Sequence, residues 1–369
     1  MNNITVLGIG RLGLGLALLI EKAGYNVLGI DINEEYIKQL NNKTFKTKEP
    51  EYENLLINSI NFKASNNLDE GLKHSDIIFI MVQTPNSGGN KFYDHSIVSN
   101  LLQKINEKKV ENKHIIIGCT LMPKYIDEVG SFLLSDCENT TLSYNPEFIA
   151  QGEIIKGFLY PDMVLIGTHF QELGENLRDI YSKIVKTDPK YCIISPLEAE
   201  ITKITINGYI TTKLSFANMI SDLCDTIGAN KYKVLDSIGS DSRIGNKYFR
   251  PGYSFGGPCF PRDIRALALF VDQNNINNEL LLSTTKYNNL HSDFLTQKLL
   301  DKNEEEYIIE NVCYKEDSKI PIIEESAKLQ IAKKLVEHGK KVIIKDELHL
   351  INEVKKEYGN LFNYIIYIT

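Results

Sequence analysis

Glycines at positions 8, 10 and 13 separate a short strand-like run, Ile4-Thr5-Val6-Leu7, from a stretch at 14–23 whose apolar residues recur at helical spacing. Gly24 stops that stretch, and a second strand-like run follows at 26–30. Few architectures accept a strand, a glycine turn and a helix in this order. The glycines permit a tight turn and let backbone N–H groups approach a pyrophosphate at the helix N-terminus. Asp31 closes the second strand 18 residues after Gly13. From there a carboxylate accepts hydrogen bonds from both ribose hydroxyls and repels a 2′-phosphate. The pattern therefore points to NAD rather than NADP, bound by Gly8, Gly10, Arg11, Leu12, Gly13 and Asp31. A glycine turn that merely packs helix on strand, beside an ordinary exposed Asp31, would not require both features in register.

The rest of the chain extends this start. Strand-like runs at 77–82, 114–117 and 163–166 alternate with amphipathic segments of helix length, as in a parallel sheet wound with helices. The character changes after Pro196. From 197 to about 227 there is no proline and one internal glycine, Gly208, so a long helix is expected that joins domains and offers a dimer surface. The segment 239–263 is rich in Gly and Pro, with charged and aromatic residues, and reads as a loop of the kind that carries function. A second α/β pattern closes the chain: strand 307–313, helix 324–338, strand 341–345, a helix from about Leu348, and strand 363–368. The expected fold is α/β, with two Rossmann-like doubly wound parallel-sheet domains joined by a long central helix. Residues 1–195 form the NAD-binding domain, 196–295 a helical domain, and 296–369 the second nucleotide fold.

Composition excludes several functions. The 41 basic and 48 acidic residues are intermixed, give a net charge of −7, and form no polybasic stripe for nucleic acid. The apolar run 12–20 is far short of the ~18–20 residues that span a bilayer, and it lacks the flanks of a signal peptide. A cytoplasmic protein is expected. Six scattered cysteines, with no CxxC and no Cys/His ligand spacing, read as reduced thiols and give no metal site. One of them, Cys259, follows Gly256-Gly257-Pro258 and precedes Arg262 and Asp263. By chemistry alone it is compatible with a nucleophilic thiolate or with a buried core cysteine.

Its surroundings carry a resemblance. Arg243-Ile244-Gly245, Pro251-Gly252 and Phe255-Gly256-Gly257-Pro258-Cys259-Phe260-Pro261-Arg262-Asp263 resemble the active-site loop of the UDP-glucose 6-dehydrogenase family. Asn145-Pro146-Glu147-Phe148 with Pro161-Asp162 is similar to that family's NPEF and PD elements. The helix stretch from Glu200 to Asn207 is similar to the one that presents a Lys and an Asn one turn apart, and Gln83-Thr84-Pro85 and Lys48-Glu49-Pro50 match smaller landmarks. The resemblance runs in order from residue 1 to about 345.

The resemblance implies an NAD-linked four-electron oxidation of a sugar C6 alcohol to a carboxylate, with UDP-glucose as substrate and a homodimer as the assembly. It implies that Cys259 captures the aldehyde and that Lys203 and Asn207 hold the oxyanion. Asp263 and a water on Thr120 relay protons, and Glu147 activates water. Thr84 and Thr120 join the NAD site. Phe148, Gln151, Arg243, Tyr248, Phe255, Gly256 and Lys315 join the substrate site with Glu147, Lys203 and Asn207. Two departures stand out: Gln151 occupies the place of a second family Glu, and Glu324 that of a family Arg. Relatives acting on UDP-N-acetylhexosamines or GDP-mannose are the nearest alternative. A nucleotide-sugar-binding relative that has lost turnover, and a two-electron 2-hydroxyacid-type dehydrogenase, are the others.

Overall fold

The computed structural model describes residues 3–150, 152–315 and 320–367. The chain forms two compact units, 1–203 and 204–369.

The first unit runs β1 (Asn3–Leu7), α1 (Arg11–Lys22), β2 (Asn26–Ile30), α2 (Glu34–Asn41), α3 (Tyr52–Asn58), β3 (Phe62–Ser65), α4 (Leu68–His74), β4 (Ile77–Ile80), α5 (Ser96–Glu107) and β5 (His114–Ile117). It continues through β6 (Thr141–Tyr144), α6 (Ile154–Leu159), β7 (Met163–Gly167), α7 (Gln171–Ile184), β8 (Lys190–Ile194) and the first two turns of α8 (Pro196–Ile227). One sheet orders the strands β3-β2-β1-β4-β5-β6-β7-β8. Every described pairing in it is parallel except β6 with β7, which the expectation of a wholly parallel sheet did not foresee.

The strands alternate between two apolar layers, the period-two pattern of a sheet covered on both faces. Ile4, Val6, Phe79, Ile116, Val164 and Ile166 face one core with α1, α6 and α7. Leu7, Ile78, Ile80, Ile115, Ile117 and Leu165 face the other with α5. Leu14, Leu16, Leu18 and Ile20 bury α1 on several sides. Each contributes about 1.5–3 kcal/mol over exposure, so this helix and the turn before it are held firmly.

The second unit contains the remainder of α8, α9 (Lys231–Gly239), α10 (Phe260–Gln273), α11 (Glu279–Leu300), β9 (Glu306–Glu310), α12 (Ala327–Glu337), β10 (Lys341–Asp346), α13 (Leu348–Tyr358) and β11 (Asn363–Ile366). Its sheet is parallel in the order β11-β10-β9, packed through Val342, Ile344, Leu329, Leu335, Ile351 and Val354.

Boundaries differ from expectation for local reasons. The functional loop ends at Cys259, because Pro261 sits in the first turn of α10 and Asp263 is already helical. Strand β9 stops at Glu310, and the Val312 N–H beyond it donates to the Asp346 carboxylate at 2.8 Å. Helix α12 begins only at Ala327, since the Ser326 hydroxyl caps the Leu329 N–H. The last expected strand residue, Ile368, lies outside the described residues.

Candidate active site

The order of the first sheet reverses direction between β1 and its neighbour β4, so the loops leaving these strands open a crevice at a topological switch point. Gly8 has φ +85°, a left-handed conformation that side chains disfavour. A Cβ on Gly13 would lie 2.0 Å from the Gly8 carbonyl oxygen. Around Gly10, by contrast, an added Cβ meets nothing within 4 Å, so space is open in front of α1. The Tyr36 hydroxyl donates to the Ile9 carbonyl at 2.7 Å and fixes the turn. Asp31 stands half-buried just past β2 and accepts the Asn33 N–H at 3.1 Å. An open cradle at a helix N-terminus, with a carboxylate ending the next strand, fits the pyrophosphate and ribose of NAD.

Thr84 and Thr120 lie beyond the carboxyl ends of β4 and β5, on the same edge of the sheet as the glycine turn. The loop carrying Thr120 is fastened through its backbone. Leu121 N–H donates to the Tyr144 hydroxyl at 3.2 Å, and Met122 N–H to His95 Nε2 at 3.2 Å. Burial holds His95 down to about 4, which leaves that nitrogen a lone pair at neutral pH. The Glu200 carboxylate accepts Lys124 N–H at 2.7 Å and Ile126 N–H at 2.8 Å.

Glu147 follows β6 and meets two residues of this unit. Lys203 Nζ donates to the Glu147 carbonyl at 2.6 Å and stands 4.4 Å from the centre of the Phe148 ring. The Tyr181 oxygen lies 2.6 Å from both Glu147 Oε1 and Asn145 Oδ1. Asn145 is oriented, because its Nδ2 donates to the Leu165 carbonyl at 2.8 Å. Tyr181 has one proton for two oxygens, so both contacts are hydrogen bonds only when Glu147 carries a proton itself. Burial pushes the Glu147 carboxyl up to about 7, with Tyr181 and Lys203 opposing it. A small cavity of about 10 Å³, room for one water molecule, lies beside Asn145, Glu147 and Tyr181.

In the second unit Cys259 caps the N-terminal end of α10 and is the exposed thiol among the described cysteines. One turn later Asp263 donates its N–H to the Cys259 carbonyl at 2.8 Å. The Asp263 side chain is buried, which raises its carboxyl well above the usual range, and its Oδ2 accepts from Asn207 Nδ2 at 2.5 Å. The two glycines before the thiol are required by close approach. A Cβ on Gly256 would lie 2.1 Å from the Glu325 carbonyl oxygen, and one on Gly257 would lie 2.2 Å from the Tyr314 ring. Arg265 grips Glu325 through two bonds of 2.6 and 2.8 Å. Glu324, the departure noted above, bears electrostatically on Arg262, as does Cys259.

The expected residues thus gather into two sets: Glu147, Phe148 and Lys203 in the first unit, and Asn207, Cys259 and Asp263 in the second. Arg243 is exposed and held by Asp241 at 3.0 and 2.7 Å. Tyr248 has φ 59° and packs edge-on to Phe260 at 6.1 Å. Phe255 is buried, and Lys315 is exposed. Gln151 lies outside the described residues. Sequence reading passed over Tyr181, 34 residues from Glu147; Glu49, noted only as part of the Lys48-Glu49-Pro50 landmark, has a buried carboxylate that accepts the Gly152 N–H at 2.9 and 3.1 Å. Nothing in the local pattern of α7 marks Tyr181.

A dinucleotide crevice in the first unit, with an exposed thiol on a glycine-gripped loop in the second, defines an NAD-dependent oxidoreductase. Comparison with known proteins makes the class particular. Residues 2–185 match the NAD binding domain of the UDP-glucose/GDP-mannose dehydrogenase family, and residues 197–290 match its central domain. UDP-glucose 6-dehydrogenase of Rickettsia felis is 30% identical over 300 residues, covering 80% of this chain and 67% of that protein. Two solved structures share the fold. A UDP-glucose dehydrogenase from the hyperthermophilic archaeon Pyrobaculum islandicum has TM-score 0.88 and 24% identity, over 99% of this chain and 86% of that one. A UDP-D-ManNAc dehydrogenase from Pyrococcus horikoshii has TM-score 0.80 and 23% identity, over 93% and 83%. The chain belongs to the UDP-glucose/GDP-mannose dehydrogenase family. It is a nucleotide-sugar dehydrogenase, and its cofactor is NAD. No helix among the described residues is long and apolar enough to cross a membrane.

Proposed function

We propose that this enzyme oxidises UDP-glucose to UDP-glucuronate in two rounds, through a thiohemiacetal and a thioester on Cys259. The observation that carries the reading is the setting of that thiol: exposed, at the head of α10, one turn before a buried Asp263 that is hydrogen-bonded to Asn207. The names of relatives such as that of Rickettsia felis support UDP-glucose as the sugar.

NAD, held by the glycine turn and Asp31, would supply the hydride acceptor for C6 in both rounds. Lys203 and Asn207, four residues apart on α8, stabilise negative charge on the C6 oxygen as its proton leaves. Asp263, with a water on Thr120, relays that proton away. The Cys259 sulfur then adds to the aldehyde carbon, which retains the intermediate while the cofactor is exchanged. After the second round Glu147, with a carboxyl near 7, takes a proton from water as the water oxygen bonds to C6. The S–C6 bond breaks, the sulfur is released, and the product leaves as a carboxylate.

The division into an NAD-binding domain at 1–195, a central domain at 196–295 and a UDP-binding domain at 296–369 belongs to this reading. There Gly8, Gly10, Arg11, Leu12, Gly13, Asp31, Thr84 and Thr120 hold NAD. Phe148, Gln151, Arg243, Tyr248, Phe255, Gly256 and Lys315 are the residues assigned in this reading to nucleotide-sugar binding. A homodimer through α8 is supported by Tyr209, Phe216, Leu223 and Ile227, exposed at spacings of seven, seven and four along that helix.

The test is the amount of NADH formed per nucleotide sugar consumed, with UDP-glucose, UDP-N-acetylhexosamines and GDP-mannose offered separately. A ratio near two with UDP-glucose supports the reading. A ratio near two with another sugar alone moves the substrate, a ratio of one removes the thioester, and binding without NADH makes the protein an inactive relative.

A further inference from the structure

The backbone that leads to Cys259 is held by side chains of two helices. On α8, Asn218 accepts the Gly252 N–H and donates to the Tyr253 carbonyl, both at 3.2 Å. On α11, Asn288 accepts the Phe255 N–H at 2.8 Å and donates to the Phe255 carbonyl at 2.9 Å. The Ser254 hydroxyl donates to the Asn288 carbonyl at 2.6 Å. His291, also on α11 and 1% exposed, places Nε2 2.8 Å from the Gly252 carbonyl. Its Nδ1 lies 2.9 Å from both carboxylate oxygens of Asp222 on α8, and Tyr287 donates its hydroxyl to Asp222 at 2.8 Å. Four consecutive loop residues, 252–255, are therefore tied down just before the Gly-Gly-Pro-Cys turn.

The proton count makes this more than packing. A carbonyl oxygen only accepts, so Nε2 carries a proton. If Nδ1 lacked one, its lone pair would face a carboxylate at 2.9 Å. A proton therefore lies between Nδ1 and the carboxylate, and the ring links the Gly252 carbonyl to Asp222. Tyr287 keeps the carboxylate turned toward the ring.

We propose that His291, with Asp222 and Tyr287 behind it and Asn218 and Asn288 beside it, is the positioning apparatus for the Cys259 loop. This rests on the reading of Cys259 as the nucleophile. Among the described residues no hydrogen bond joins any of the five to the thiol, so all act as positioning residues. Displacing a reacting group by about 1 Å can cost on the order of a hundredfold in rate while leaving substrate binding in place.

The experiment compares His291→Phe, Tyr287→Phe and Cys259→Ser in the full-length enzyme with UDP-glucose and NAD. Hydrogen exchange of the amides of 252–259 is measured beside kcat and KM. The expected result for His291→Phe is a kcat lowered at least about tenfold, a KM within about twofold, and faster exchange confined to the loop. Tyr287→Phe, which alters only a partly exposed ring, is expected to show the same pattern at about a third to a tenth of wild-type kcat. If His291→Phe does not fold, Tyr287→Phe decides. A folded variant with wild-type kcat and wild-type loop exchange overturns the proposal, and so does a KM that rises with kcat unchanged. Cys259→Ser separates the two readings. If it still forms uronate at the normal rate the covalent mechanism falls and the positioning role with it; if it is inactive while both ring variants are normal, only the positioning role falls.

Discussion

Replacing Glu147 by Gln tests the shared proton at the centre of the first unit. The carboxyl titrates near 7 in the folded protein against an ordinary 4.5. A carboxyl raised on folding binds its proton more tightly in the native state, so its contribution is fully present below about 4.5 and is lost as pH rises through 7. Two and a half pH units at about 1.4 kcal/mol each give roughly 3.5 kcal/mol. The side chain retains some contact with solvent, which relaxes the penalty, and about 1–2 kcal/mol is the expected value. Gln resembles the protonated acid and does not titrate. Glu147→Gln should therefore match wild type in stability near pH 5 and exceed it by that amount near pH 8. Urea unfolding at the two pH values measures the difference, provided the unit containing Glu147 is followed by its own probe. A stability gap that stays constant between pH 5 and pH 8 would refute the proton count around Tyr181. The same variant tests the chemistry: hydrolysis should stall, with a burst of two NADH per active site and a thioester on Cys259 visible by intact mass.

Cys259→Ser should bind NAD normally but fail to complete the second oxidation, and steady uronate formation by it would exclude covalent capture. Asp31→Ala should weaken NAD far more than UDP-glucose in calorimetric titrations, because it removes the ribose acceptor alone; equal losses would count against the crevice assignment. In Gly13→Ala the new methyl would meet the Gly8 carbonyl oxygen at 2.0 Å, so the turn must move. NAD affinity should drop at least about tenfold and thermal stability by about 1–3 kcal/mol, and a variant with wild-type affinity would show that the turn is not the cradle.

Local patterns were enough for much of this. The strand, glycine turn, helix and closing Asp31 are a short-range signal, since each link is set by neighbours a few residues away. So is α8, a long run without proline. Strands β3, β6 and β8 were not foreseen, because Phe62–Ser65, Thr141–Tyr144 and Lys190–Ile194 are short and carry polar residues. In β6, Ser143 is accommodated by a buried hydrogen bond of 2.9 Å to Thr168, a partner 25 residues away. The resemblance named Glu147, Lys203, Asn207, Cys259 and Asp263, but not what surrounds them.

Those surroundings belong to the tertiary structure. Glycine spacing and apolar periodicity specify which segments become strands and helices, because backbone sterics and one-sided burial act within a few residues. Whether Tyr181 reaches Glu147, why Tyr314 admits only glycine at 257, and which helices hold 252–255 depend on chain segments 33 to 57 residues apart meeting at hydrogen-bond or van der Waals distance. Proton sharing and raised carboxyl groups arise only from that closeness and from the exclusion of water that accompanies it.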